Sequence, residues 1–83
     1  MQNLEKLTTA FTQSLGIEAR LVTDELTYNS IPEWDSTAHM ILIAEIENGF
    51  GLMLDTDDII DMSSFAQAKA ILAKYDIDFR PKL

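Results

Sequence analysis

The sequence predicts an all-α fold, a four-helix bundle with a long helix 1 to helix 2 loop and a short third helix. Three observations carry this expectation. Apolar residues recur at helical spacing in separate stretches, no stretch alternates as a half-buried strand would, and capping residues or glycines stand at the ends of the periodic segments. All 83 residues fit one domain, 1–83. With no cysteine there is neither a disulfide nor a thiolate metal site to staple it, so apolar packing must hold the fold.

Leu4, Leu7, Phe11 and Leu15 form the apolar stripe of the first helix, with Asn3 as candidate cap and Gly16 as stop. From Ile17 to Asp35 the helical period is lost and turn-forming residues accumulate, which reads as an irregular connection containing a short turn of helix. Leu21, Leu26 and Ile31 are the residues expected to pin it to the core. The second helix is expected from Ser36 to Asn48, closing at Gly49-Phe50-Gly51. Its inward stripe is Leu42, Ile43, Ile46 and Phe50, and Ile41 falls on the outer face with Glu45 and Asn48.

Thr56 is a candidate cap for a third helix of about two turns through Asp57, Asp58, Ile59 and Ile60, with acids where the helix dipole favours them. Ser63 or Ser64 caps the last helix, in which Phe65, Ala68, Leu72 and Tyr75 repeat at helical spacing and Lys69 and Lys74 occupy the later turns. The tail from Asp76 to Leu83, with Pro81, is expected to lie on the surface or fray.

Composition narrows the function. Hydrophobic residues at 47% and charged residues at 24% fit an ordinary globular chain, and no apolar run reaches the length of a membrane span. The stretch Met1 to Lys6 lacks the pattern of a secretory signal, so a cytoplasmic location is the expectation, and a monomer is expected as well. Fourteen acidic residues against six basic ones give a net charge of −8, which disfavours nucleic acid and anionic lipid and favours basic protein partners. No Lys or Arg lies between Arg20 and Lys69, while Asp24, Glu25, Glu33, Asp35, Glu45, Glu47, Asp55, Asp57, Asp58 and Asp61 do, and these ten read as uncompensated.

The most informative feature is Trp34-Asp35-Ser36. Asp35 is a preferred N-cap residue, so Ser36 falls in the first helical turn, among N–H groups without intrahelical acceptors, where a phosphate is welcome. Pro32 keeps Ile31 extended, so Ser36 is expected to sit exposed at a corner.

The run Asn29-Ser30-Ile31-Pro32-Glu33-Trp34-Asp35-Ser36-Thr37-Ala38-His39, with the apolar helix after it and Phe50-Gly51, resembles the acyl carrier protein family from the first helix to Tyr75. The resemblance implies an acyl-carrier-protein-like bundle and a non-catalytic role. Ser36 would bear a covalent 4′-phosphopantetheine arm taken from coenzyme A, and Asp35 would help the modifying enzyme place the serine. The implied partners are a phosphopantetheinyl transferase, an acyl-loading or ligase enzyme, and acyl-processing enzymes with basic docking patches. By position, Thr37, Ile41, Glu45, Glu47, Asp57, Asp58 and Asp61 are the candidate partner-binding residues. The Trp-Asp-Ser form with His39 is similar to freestanding carriers of polyketide-like, surface-glycan and related specialised pathways, and more loosely to D-alanyl carriers, and the implied role is in fatty-acid-like, polyketide or specialised biosynthesis. Thr37 stands where the family signature has leucine, and Ala38 and Ile41 where fatty-acid carriers show acids, so docking on this helix is expected to be less electrostatic.

Other readings of the same residues are a small acidic helical adaptor without a prosthetic group, an aminoacyl carrier, and a carrier that has lost modification. A hydrolase built on Ser36 and His39 lacks a third orienting group. A calcium loop through Asp55, Asp57 and Asp58 lacks the glycine and terminal glutamate at the required spacing.

Overall fold

The computed structural model describes residues 2–79. Met1 and residues 80–83, including the Pro81 of the expected tail, lie outside the described residues. The fold is all-α: four α-helices, α1 (Asn3–Leu15), α2 (Ser36–Phe50), α3 (Thr56–Asp61) and α4 (Phe65–Ala73), with a 3₁₀ turn at Ala19–Leu21 in the long connection. No strand occurs among the described residues, only an isolated antiparallel bridge between Thr27 and Ser64.

In α1 the periodic stripe buries Leu7, Ala10, Phe11 and Leu15. Leu4, on the first turn, is exposed, a correction to the expected stripe. Asn3 is not the cap either. It is the first helical residue, Gln2 takes the cap position, and the Asn3 side-chain amide donates to the Asp78 carbonyl at 2.9 Å, tying α1 to the chain after α4. Gly16 closes α1 with φ 65°, a left-handed conformation that a side chain would oppose.

Helix α2 runs through Gly49 and ends at Phe50, two residues beyond the expected Asn48. The left-handed cap is Gly51, whose N–H bonds the Glu47 carbonyl. Leu42, Ile43 and Ile46 are buried, and Phe50 is half-buried beneath the Lys6 ammonium, 5.0 Å from its ring centre. Helix α4 is capped by Ser64, whose Oγ accepts from the Gln67 N–H at 2.9 Å. Ser64→Ala is expected to lower stability by about 1 kcal/mol. A urea titration checks this, and an unchanged midpoint would remove the cap's assigned weight. Helix α4 ends at Ala73, short of Tyr75, and Ile77 and Phe79 beyond it pack half-buried on the core.

The connection between α1 and α2 is fastened by two of the three residues expected, Leu26 and Ile31, and by Trp34 in place of Leu21. Leu26 is buried and Ile31 half-buried, but Leu21 is exposed in the 3₁₀ turn, and Trp34 is the anchor, with no exposed surface. Trp34 meets Phe11 edge-to-face at 5.3 Å, and Phe11 meets Phe65 in the same manner at 5.0 Å. One aromatic column thus joins α1, the connection and α4, a geometry favoured by the ring quadrupoles. Backbone bonds from the Tyr28 N–H to the Ser63 carbonyl and from the Phe65 N–H to the Leu26 carbonyl stitch the same connection to the start of α4.

Candidate functional site

Trp34 fixes the connection, and the chain turns into α2 two residues later. Asp35 is the N-cap: its extended backbone precedes the helix, and its Oδ1 accepts from the Ala38 N–H at 2.8 Å. Ser36 and Thr37 are exposed, so the serine stands at the corner its sequence context predicts. One turn on, His39 and Met40 lie on the same side of α2, since residues three and four apart share a helix face.

Ser36, His39 and Met40 form one wall of a cleft of about 290 Å³, and Ile59, Ile60 and Met62 form the other, with Tyr28 and Ser63 closing it. Met40 is 59% exposed and Ile60 71%, so the cleft opens onto an apolar rim. Ile41, beside Met40, is exposed as expected. Met40 is not among the residues the sequence singled out, although its place one turn after Ser36 is a signal that could have found it. Tyr28, Met62 and Ser63 carried no such signal, because the loop and the end of α3 reach Ser36 only through the fold.

His39 is placed by both ring nitrogens. The Trp34 indole N–H donates to Nδ1 at 3.0 Å, and Nε2 lies 2.9 Å from the Ile59 carbonyl oxygen. An indole N–H can only donate, so Nδ1 must accept. Nε2 therefore carries the proton and donates to Ile59. His39 thus packs against both the loop and α3.

The acidic side chains separate into two groups. Asp58 is a correction to the expected docking set: it is 7% exposed, and its oxygens accept from the Lys74 ammonium and the Tyr75 hydroxyl, each at 2.6 Å. Glu47 is half-buried and its Oε2 accepts from the Leu54 N–H at 2.9 Å. The ten acids are also not uniformly uncompensated, because Lys69 pairs with Asp24 and Lys74 with Asp58 across the fold. Glu25, Glu33, Asp35, Glu45, Asp55, Asp57 and Asp61 are exposed. Glu45 borders a second, smaller groove with Lys6, Thr9 and Gln13, while Asp57 and Asp61 lie on α3 beside the main cleft. Among the described residues no cluster of His, Asp and Glu is arranged to hold a metal ion, and no helix is long and apolar enough to cross a membrane.

No protein-family model matches this chain, and a search of curated proteins finds no match.

The Asp58 cluster makes a pH signature. Its hydrogen bond from Lys74, followed by that from Tyr75, holds the Asp58 carboxyl below the usual carboxylate range. The same bonds raise Lys74 and Tyr75 above their ordinary values. The folded state therefore prefers ionised Asp58, and this stabilisation is present above about pH 4 and lost as pH falls through the depressed folded value. The contribution of the protonated Tyr75 and Lys74 is full below about pH 10 and lost as pH rises through their raised values. Asp58→Asn is expected to lower the denaturation midpoint at pH 7, with the gap to the parent chain closing towards pH 2. An equal gap at both pH values would contradict this assignment.

Proposed function

We propose that this chain is a carrier protein of the acyl-carrier type, with Ser36 as the attachment point for a 4′-phosphopantetheine arm. The observation that carries the reading is the setting of Ser36: exposed, in the first turn of a fifteen-residue helix capped by Asp35, on the lip of an apolar cleft. An attachment serine must reach the active site of another enzyme, and an exposed corner provides that access. The first turn favours the phosphodiester through its N–H groups and the positive end of the helix dipole. The cleft beside it, walled by Met40, Ile59, Ile60 and Met62, offers apolar surface on which a flexible arm can rest. Four helices with a long α1 to α2 connection and a short α3 support this reading.

In the modification step the Ser36 Oγ attacks the phosphorus of coenzyme A that bears the pantetheine. The bond to the adenosine bisphosphate half breaks, and the hydroxyl proton passes to a base of the transferase. When bound, the arm supplies a thiol that holds acyl groups as thioesters. Because the chain has no cysteine, no internal thiol competes for them. Ser36 supplies the oxygen, Asp35 fixes the helix start, and partner enzymes perform the chemistry.

Docking combines two surfaces around Ser36. Met40, Ile41 and Ile60 are exposed apolar side chains beside the exposed Thr37, and the exposed acids Glu45, Asp57 and Asp61 on the same two helices suit basic partner surfaces. A phosphopantetheinyl transferase, a loading ligase and acyl-processing enzymes are the proposed partners, and the cytoplasm is the proposed compartment. The test is intact mass after incubation with coenzyme A, magnesium and a broad-specificity phosphopantetheinyl transferase. One phosphopantetheine increment is expected. No increment under conditions that modify a known carrier would overturn the reading in favour of an acidic adaptor or a carrier that has lost modification.

A further inference from the structure

Helix α3 has only six residues, too few to be stable by its own hydrogen bonds, so its place depends on what holds its ends. On the α4 side, Asp58 is bound by Lys74 and Tyr75, and the Tyr75 hydroxyl also accepts from the Asp55 N–H at 3.1 Å. On the α2 side stands His39. Ile59 is among the last residues of α3, whose carbonyls have no partner within the helix, and the His39 Nε2–H satisfies that carbonyl.

We propose that His39 is the positioning residue that holds α3 against the first turn of α2 and thereby sets the width of the cleft beside Ser36. The imidazole is bracketed between a fixed donor and a fixed acceptor. Trp34, wholly buried, supplies the N–H that orients the ring, and the oriented ring presents its own N–H to α3. The core anchor of the α1 to α2 connection is thus linked through one side chain to the helix that forms the far wall of the cleft. Ser36, three residues before His39, lies on the same wall of the cleft as the latch. The hold on α3 stands independently of the carrier reading, whereas its consequence for modification of Ser36 rests on that reading.

The experiment compares the full chain with His39→Leu and His39→Gln. Leucine removes both bonds. Glutamine, with one carbonyl and one amide group, can accept from Trp34 and donate to Ile59. In amide hydrogen exchange, His39→Leu is expected to speed exchange at Ile59, Ile60 and Asp61 by about tenfold relative to Phe11 and Leu72, the order expected for losing the one part-buried hydrogen bond that reaches α3. His39→Gln is expected to restore much of the protection. Unchanged exchange in α3, an equal rise in every helix, or a glutamine variant no better than leucine would each overturn the latch. In the transferase assay, His39→Leu is expected to raise KM with little change in kcat, since the attacking hydroxyl is untouched. A loosened α3 with an unchanged KM would overturn the link to Ser36. If the parent chain itself accepts no phosphopantetheine, the carrier reading fails, while the exchange data still decide the latch.

Discussion

Trp34→Ala is expected to lower stability by about 3–5 kcal/mol, the range for deleting a large buried aromatic side chain. Three separate losses add at this position. The indole is fully buried, so its removal leaves a cavity at the junction of α1, the connection and α2. Its edge-to-face contact with Phe11 at 5.3 Å disappears, which leaves the Phe11–Phe65 pair without its third ring. His39 loses the donor that orients it. An 83-residue chain has a total stability of about 4–12 kcal/mol at roughly 0.05–0.15 kcal/mol per residue, so the substitution removes a large share of it. Thermal unfolding followed by circular dichroism should show a midpoint lower by about 12 °C or more, or no cooperative transition at all. A shift of only about 2 °C would mean that the connection is held by something other than Trp34.

If the chain is the proposed carrier, Ser36→Ala is expected to have the opposite profile, with complete loss of modification and almost no loss of stability. The serine is exposed and the capping bond is made by Asp35, so its hydroxyl has no part in holding the start of α2. A surface substitution of this kind stays within about 0.5 kcal/mol. Phosphopantetheine transfer needs the Oγ as nucleophile, and alanine offers none, so the mass increment should vanish outright. Matched denaturation curves on the same two proteins separate the outcomes. An increment that persists in the variant would place the attachment on another residue, and a large stability loss would show that Ser36 is a structural part of the helix start.

Apolar spacing, glycines and the caps at Asp35 and Ser64 are local signals, and they sufficed for an all-α chain, the approximate positions of its helices and the exposed setting of Ser36, whereas Asn3 and Thr56, expected as caps, are first helical residues behind Gln2 and Asp55. Leu7, Phe11, Leu42, Ile46, Phe65 and Leu72 are buried as their periodicity implies, because a helix can turn only one face to a core. Gly16 ends α1 as expected, whereas Gly49 does not end α2, since a single glycine costs a helix too little to stop it and Gly51 completes the left-handed cap. Whatever depended on contacts between distant segments was decided by the tertiary structure. Ten acids with no intervening base looked alike in sequence, yet α4 brings Lys69 to Asp24 and Lys74 with Tyr75 to Asp58, withdrawing Asp58 from the surface expected for it. Trp34 read as part of a motif and proved to be the anchor of the connection, and Leu21 was displaced from that role into an exposed turn. The far wall of the cleft at Ser36 and the pairing of His39 with Trp34 and Ile59 likewise exist only once α3 is folded against α2. Periodicity records which face of a segment is apolar, but the partner of a polar group is chosen by proximity in three dimensions, which sequence separation does not encode.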